Sequence, residues 1–334
     1  MRVFTSAICI VLLAGSISCS KNSKTEINYR ELFLAKKSIE YISRDIPYVN
    51  SLKRNKDQIF VIGQDVHEIN LREKTENILF KDGLGPDEIL NPHRITFWDG
   101  DFYINSTSQL GYIYKFNPGT QKKKIERVNV GKVICFDDFG LISKNLIVMA
   151  RVYWKDGLVQ IYDRERDIYK KIGTPTFVYA MNRFNVSFAS LYIDDGMIYV
   201  IESIKPEVKV ISAAQAKIVK SLILSPPFYI PIPSKYTAKK YDDKAHREWM
   251  DSWTLISDMM LNNGWLLVQY KWGYDFLFGY ELINLKDTDY RFYIDKTSEQ
   301  IYDFSIEGKN IKFYLVERPE EGDLTWETAE ASIQ

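Results

Sequence analysis

Six copies of one strand–turn–strand unit predict an all-β fold, a six-bladed β-propeller with four-stranded antiparallel blades and one helical insertion between blades four and five. The second strands of the six units are Ile59-Phe-Val61, Phe102-Tyr-Ile104, Leu146-Ile-Val148, Ile198-Tyr-Val200, Leu266-Leu-Val268 and Ile311-Lys-Phe313. Their first residues are separated by 43, 44, 52, 68 and 45 positions, room for four short strands each. The composition agrees, with 22 Tyr and 18 Phe, residues that favour strands.

Each unit turns where its chemistry permits. The turns are Lys56-Asp57, Asp99-Gly100, Ser143-Lys-Asn145, Asp195-Gly196, Asn262-Asn-Gly264 and Gly308-Lys-Asn310. Asp-Gly and Asn-Gly mark tight hairpins because those turns need positive φ. Third and fourth strands follow at 111–116 with 124–128, 158–162 with 168–172, 208–211 with 218–224, and 276–283 with 290–294. The last unit has only 301–306 and 311–315 before an acidic stretch at 317–334. A ring must pair its final blade, so a strand within Arg30–Ser43 is expected to return as its outer strand. Leu324-Thr-Trp326 offers one more strand to that blade; otherwise the acidic tail stays disordered.

The N-terminus reads as an export signal over 1–18. Arg2 is the positive end, Val3 to Gly15 the apolar core, and Ser16-Ile-Ser18 supplies small residues before Cys19. A cysteine there resembles the lipobox of bacterial lipoproteins, with Ser16 where leucine is usual. Residues 19–29 would then be a lipidated cysteine and polar tether, and 30–316 the propeller. The implied location is the cell envelope, anchored to a membrane by acyl chains. Of three cysteines only Cys19 and Cys135 lie outside the signal, which implies no disulfide framework. The 44 basic and 44 acidic residues balance, which excludes a global field for nucleic acid.

One turn stands apart. Gly83-Leu-Gly85-Pro86-Asp-Glu88, preceded by Ile78-Leu-Phe80 and followed by the Asp99-Gly100 hairpin, resembles a signature of the six-bladed β-propeller lipoproteins of Bacteroidetes (NHL/TolB-like). The resemblance covers roughly residues 30–315, with Asp87 where that family usually has glycine. It implies fold and compartment, and little about activity.

Blade-to-blade connections and the loops between second and third strands share one face. The long ones are 81–93, 151–157, 173–187, 225–253 and 270–275, and binding sites favour such loops. Candidate ligand-binding residues there are Arg151, Tyr153, Trp154, Asn182, Arg183, Phe228, Tyr229, Trp272 and Tyr274, with Tyr179 and Phe184 nearby. Flat aromatics beside guanidinium and amide groups suit sugar rings or peptides. The alternative is that they fill gaps between blades. The 225–253 insertion opens with Pro226-Pro-Phe-Tyr-Ile-Pro-Ile-Pro233. Tyr241, Ala245, Trp249 and Trp253 follow at helical steps, predicting an amphipathic helix that caps the propeller or lids its funnel.

Signals of catalysis are sparse. His67, His93 and His246 have no metal-ligand spacing, with His93 expected in a loop. Asp137-Asp138 and Asp194-Asp195 read as turn-capping carboxylates at hairpins. Glu88 is expected to bond the backbone of its own turn. There is no nucleophile elbow, P-loop or dinucleotide fingerprint, and no cofactor or metal is expected. The reading favoured is a non-enzymatic binding or scaffold protein of the envelope whose ligand is a glycan, peptide or partner protein. The alternative is a propeller hydrolase or lyase, such as a lactonase with a divalent metal in the central tunnel. That class needs Glu, Asp, Asn or His from several blades aimed at the axis, where the first strands read as mostly apolar or aromatic. A cluster of three or more inward carboxylates or histidines would put it first.

Overall fold

The computed structural model describes residues 27–43, 46, 48–106, 112–119, 125–130, 136–152, 157–176, 188–232, 253–272, 277–317 and 323–333. Two strands precede the blades, β1 (Tyr29–Glu31) and β2 (Ala35–Ser43). Blade one is β3 (Ser51–Asn55), β4 (Gln58–Ile62), β5 (Val66–Asn70) and β6 (Thr75–Phe80). Blade two is β7 (Pro92–Trp98), β8 (Asp101–Ser106), β9 (Tyr112–Phe116) and β10 (Glu126–Asn129). Blade three is β11 (Asp138–Ser143), β12 (Leu146–Ala150), β13 (Val159–Asp163) and β14 (Ile168–Ile172). Blade four is β15 (Ala189–Asp194), β16 (Met197–Glu202), β17 (Lys205–Ser212) and β18 (Lys217–Ile223).

Blade five is β19 (Thr254–Asn262), β20 (Trp265–Trp272), β21 (Leu277–Asn284) and β22 (Arg291–Thr297). Blade six is β23 (Glu299–Glu307), β24 (Asn310–Glu317) and β25 (Leu324–Ser332), completed by β2, which pairs antiparallel with β25. The N-terminal strand thus closes the ring, as expected. The strand offered at Leu324-Thr-Trp326 is part of β25, which buries Trp326 completely. One strand was not foreseen: β1 lies parallel on β22 as a fifth strand of blade five.

The hairpins between first and second strands adopt the backbone their residues predict. Asp99 and Gly100 have φ of 49° and 83°, and Asn263 and Gly264 have 47° and 76°. The helix expected over 241–253 of the insertion lies, but for Trp253, outside the described residues, and no helix occurs among the described residues. Trp253 is described: it is a buried residue leading into β19, not part of a helix.

The core is divided by the blades. Six apolar clusters form, one in each gap between neighbours. Between blades one and two, Phe60 and Phe102 have ring centroids 4.0 Å apart and Phe116 stacks on Phe102 at 5.5 Å. Between blades six and one, Trp326 meets Tyr302 at 5.4 Å. The wedge between blades is wide at its rim, and large aromatics fill it.

Around the axis the first strands touch in sequence, β3 to β7, β11, β15, β19, β23 and back to β3. Farther out, a buried ion pair locks the N-terminus and blades four and five together. Glu281 accepts from Arg291 Nη1 (2.8 Å), Tyr29 Oη (2.7 Å) and Tyr270 Oη (2.7 Å), while Arg291 also donates to the carbonyls of Ile223 (2.7 Å) and Thr288 (2.6 Å). Arg291→Met would leave the Glu281 carboxylate buried without its cation. The expected cost is about 3–5 kcal/mol, read as a lower urea midpoint, with Arg291→Met/Glu281→Gln recovering part of it.

Candidate functional site

The Gly-Leu-Gly-Pro-Asp-Glu turn is a self-contained clasp between blades one and two. Glu88 folds back so that its Oε2 accepts from the Gly85 amide at 2.7 Å, while Ile89 N donates to the Lys81 carbonyl at 3.0 Å. A Cβ on Gly83 would stand 2.1 Å from Glu88 Oε2, and one on Gly85 2.9 Å from the same carboxyl group. Both glycines are therefore needed to admit the glutamate. Asp82 extends the clasp by accepting from Asn91 N at 2.7 Å while its own amide donates to Asp65 at 2.8 Å. Glu88 thus bonds the backbone of its turn, with Pro86 at the bend.

The predicted aromatic patch is placed in part. Tyr153, Trp154, Tyr179, Asn182, Arg183, Phe184 and Tyr274 lie outside the described residues, as does Cys19. Phe228 and Trp272 pack on each other at 5.4 Å over Gly279, and Tyr270 meets Phe228 at 5.2 Å and Tyr229 at 5.8 Å. Trp272 is only 5% exposed, so these rings fill the space between the insertion and blade five. Burial pushes the Tyr229 hydroxyl up to about 12. Arg151 leaves β12 beside the Asp137 carboxylate, and its amide donates to the Leu158 carbonyl at 3.0 Å.

The axis is where the structure departs from the sequence reading. The first strands are not apolar there. Eight residues before the first residue of each second strand stand Ser51, Arg94, Asp138, Ser190, Asp258 and Asp303. Five of the six line the axial cavity, Ser190 being buried, so the axis carries a polar girdle. In three blades a β-bulge precedes the charged residue, with pairing skipping from Pro92 to Arg94, Ile256 to Asp258 and Ile301 to Asp303. Such bulges re-aim a side chain. Asp138, Asp258 and Asp303 each accept from the next residue's amide at 2.8–2.9 Å.

The girdle also stitches blades together. Ser51 Oγ accepts from Ile95 N at 3.2 Å and Asp138 Oδ2 from Leu191 N at 2.9 Å. In both cases the donor is the residue after the next blade's girdle position. Asp137 adds Val152 N and Ala189 N, both at 3.0 Å. Asp137-Asp138 is therefore not a hairpin cap; it joins blade three to blade four. Asp194-Asp195 is at the β15–β16 turn, as expected. His93 sits in β7 rather than a loop, and burial, then the Arg94 charge, lowers it to about 4.

Two cavities lie end to end on the axis, sharing Ser51, Lys53, Arg94 and Asp258. One, about 290 Å³, reaches the hairpin ends of the first strands and holds Lys53, Arg54 and Arg94 against Asp138, Asp258 and Asp303. The other, about 380 Å³, reaches the starts of those strands, on the long-loop face, through Asn50, Phe188 and Gln300. The three aspartates face one channel, yet no three His, Cys, Asp or Glu among the described residues group closely enough to hold a metal ion. Arg94 stands among them, its Nη1 3.6 Å from Asp258 Oδ2. The girdle was legible in principle, as polar residues at a constant offset within apolar strands.

Two expectations test this geometry. Gly83→Ala displaces the Glu88 carboxylate from the Gly85 amide and should cost about 0.5–2 kcal/mol in urea unfolding. Burial, the largest cause, raises both Asp137 and Asp138 to about 6, against the pull of Arg94 and Arg151. Acids whose folded pKa is raised favour the fold below their unfolded pKa and lose that contribution as pH rises through the folded value. Stability relative to Asp138→Asn should therefore fall between pH 4 and about 6, followed by thermal unfolding across that range.

No family model matches this sequence, and no curated protein matches it. Solved structures do. A member of the DUF4221 family from Bacteroides vulgatus ATCC 8482 matches with a TM-score of 0.58 at 9% identity, over 92% of this chain and 99% of that one. A protein from Bacteroides fragilis NCTC 9343, described as a proposed exported protein, matches with a TM-score of 0.59 at 11% identity, over the same shares. At such identities the likeness shows the fold, and this chain shares with those proteins the β-propeller seen here as six four-stranded blades.

Proposed function

We propose that this chain is a non-enzymatic binding protein of the cell envelope, exported and lipid-anchored through Cys19, that takes its ligand on the long-loop face. The observation that carries the reading is the axial cavity of about 380 Å³ opening on that face, lined by Lys53, Arg94, Gln269 and Lys271. A concave site of this size with a few converging polar groups suits a small ligand or the end of a larger one. Arg151 and the aromatic loops that leave the same ends of the blades would extend the surface for a glycan, peptide or partner protein. Export is supported by the leader-like N-terminus and by the name of the Bacteroides fragilis neighbour. Lipidation rests on the lipobox resemblance around Cys19.

A second reading, a metal-dependent propeller hydrolase, is favoured by the three aspartates on the axis. Against it, Asp138 and Asp258 flank Arg94, and each of the three aspartates accepts from a backbone amide. A thermal-shift screen of the chain beginning after Cys19 separates the two, because a ligand bound only to the folded state raises the midpoint. Cell-wall fragments, oligosaccharides and peptides should shift it without added metal. A shift with calcium or another divalent ion alone would favour the hydrolase, and no shift with any organic ligand would count against the binding reading.

A further inference from the structure

We infer that the long-loop end of the axial channel is an anion site that holds a carboxylate or phosphate oxyanion of a small ligand on Arg94, with Lys271 lining the same cavity. This deepens the binding reading above and rests on it. The first support is charge. The charged residues lining this cavity, among those described, are Lys53, Arg94 and Lys271 against Asp258 alone. The adjoining cavity balances three cations with three carboxylates. Among the described residues, the lining is thus balanced at the hairpin end and richer in cations at the long-loop end. A cleft with low-dielectric walls concentrates ions of opposite sign.

The second support is the state of Arg94. It is the sole cation of the girdle positions, and its backbone is fixed: Arg94 N donates to Asn105 Oδ1 at 2.6 Å, and Asn105, fully buried, reaches the Phe136 carbonyl at 3.4 Å. The bulge between Pro92 and Arg94 aims the side chain inward. Its guanidinium is nonetheless unsaturated by protein. Nε has no hydrogen-bond partner, and Asp258 stands at 3.6 Å, beyond hydrogen-bond reach. Buried donors are nearly always paired. A guanidinium presents a planar fork of donors that matches two oxygens of a carboxylate or phosphate.

The third support is what surrounds it. Lys53 lines both cavities, but its ammonium lies over the Tyr192 ring at 5.7 Å and near Asp303, in the hairpin-end cavity, which leaves Arg94 and Lys271 as the cations of the long-loop end. Gln269 is oriented by Ser257, which accepts from its Nε2 at 2.8 Å, and by Tyr280, which donates to its Oε1 at 3.3 Å. Polar groups fixed in this way give a ligand a defined pose. Asp258 competes with the ligand for Arg94, so its charge sets an upper limit on affinity.

The test uses the chain beginning after Cys19 and four probes at matched ionic strength: sodium acetate, sodium phosphate, D-glucuronate and neutral glucose, each read by thermal shift and calorimetric titration against sodium chloride. Acetate, phosphate or glucuronate should raise the midpoint where chloride and glucose do not, and the preference between acetate and phosphate tells the two oxyanion sources apart. Arg94→Gln should weaken binding about tenfold or more, as loss of a charge-assisted hydrogen bond does. Lys271→Gln, farther from the girdle, should weaken it too and serves if Arg94→Gln does not fold. Asp258→Asn should tighten binding, which a purely structural Arg94–Asp258 pair would not produce. No response to any of the three anions overturns the anion site, as does anion binding indifferent to all three substitutions. If neutral oligosaccharides or peptides bind in the preceding screen while the anions do not, the binding face stands and only the anion site fails.

Discussion

The innermost strand of each blade has one edge with no strand beside it, and the arrangement of the axis follows from how that edge is satisfied. In each sheet the first strand pairs only with the second. The free edge faces the neighbouring blade, out of reach of most water, and an unpaired buried amide is costly. The amides of Ile95, Ala189, Leu191, Ile256 and Ile301 are met by Ser51, Asp137, Asp138, the Ser203 carbonyl and the Tyr280 hydroxyl, each from the preceding blade. Two girdle residues, Ser51 and Asp138, thus serve first to satisfy the backbone of the next blade. Only where the girdle's side chains exceed that need, at Arg94 above all, does it leave chemistry over for a ligand.

The same logic explains why the channel is charged but poor in metal ligands. A carboxylate that accepts from its own following amide and from the next blade is held to the wall. Its oxygens are directed at amides around the ring instead of converging at the centre. Asp138 does this with both oxygens, and the nearby Arg94 answers its charge. Burial raises the proton affinity of Asp138; the Arg94 guanidinium opposes that rise and the Asp258 charge adds to it.

Closure of the ring depends on two N-terminal strands with different tasks. β2 covers the edge of β25 and completes blade six, while β1 seals blade five and sends Tyr29 to the Glu281–Arg291 pair. Because Arg291 also holds the Ile223 carbonyl of blade four, β1 is tied to two consecutive blades that lie far along the chain from it. A ring that closes through β2 and β25 is committed only when both strands have been made.

The sequence by itself determined the number of blades, the place of every second strand, the hairpin residues with positive φ, the return of an N-terminal strand and the Glu88 clasp. These follow from local rules: alternation, turn chemistry and the requirement that no edge stay open. Even the parallel addition of β1 escaped it, since three residues carry no period. The tertiary structure alone decided which side chains meet. The sequence left open whether Phe228 and Trp272 bind a ligand or fill gaps, and the approach of Gly279 makes them packing partners. Asp138 read as a turn cap until the neighbouring strand placed Leu191 N against it. The polar offset before each second strand is visible in the sequence, but its meaning depends on the bulges that turn Arg94, Asp258 and Asp303 inward. A bulge inserts one residue, and one residue reverses which face a side chain points to; that choice is made by pairing between strands, not within them.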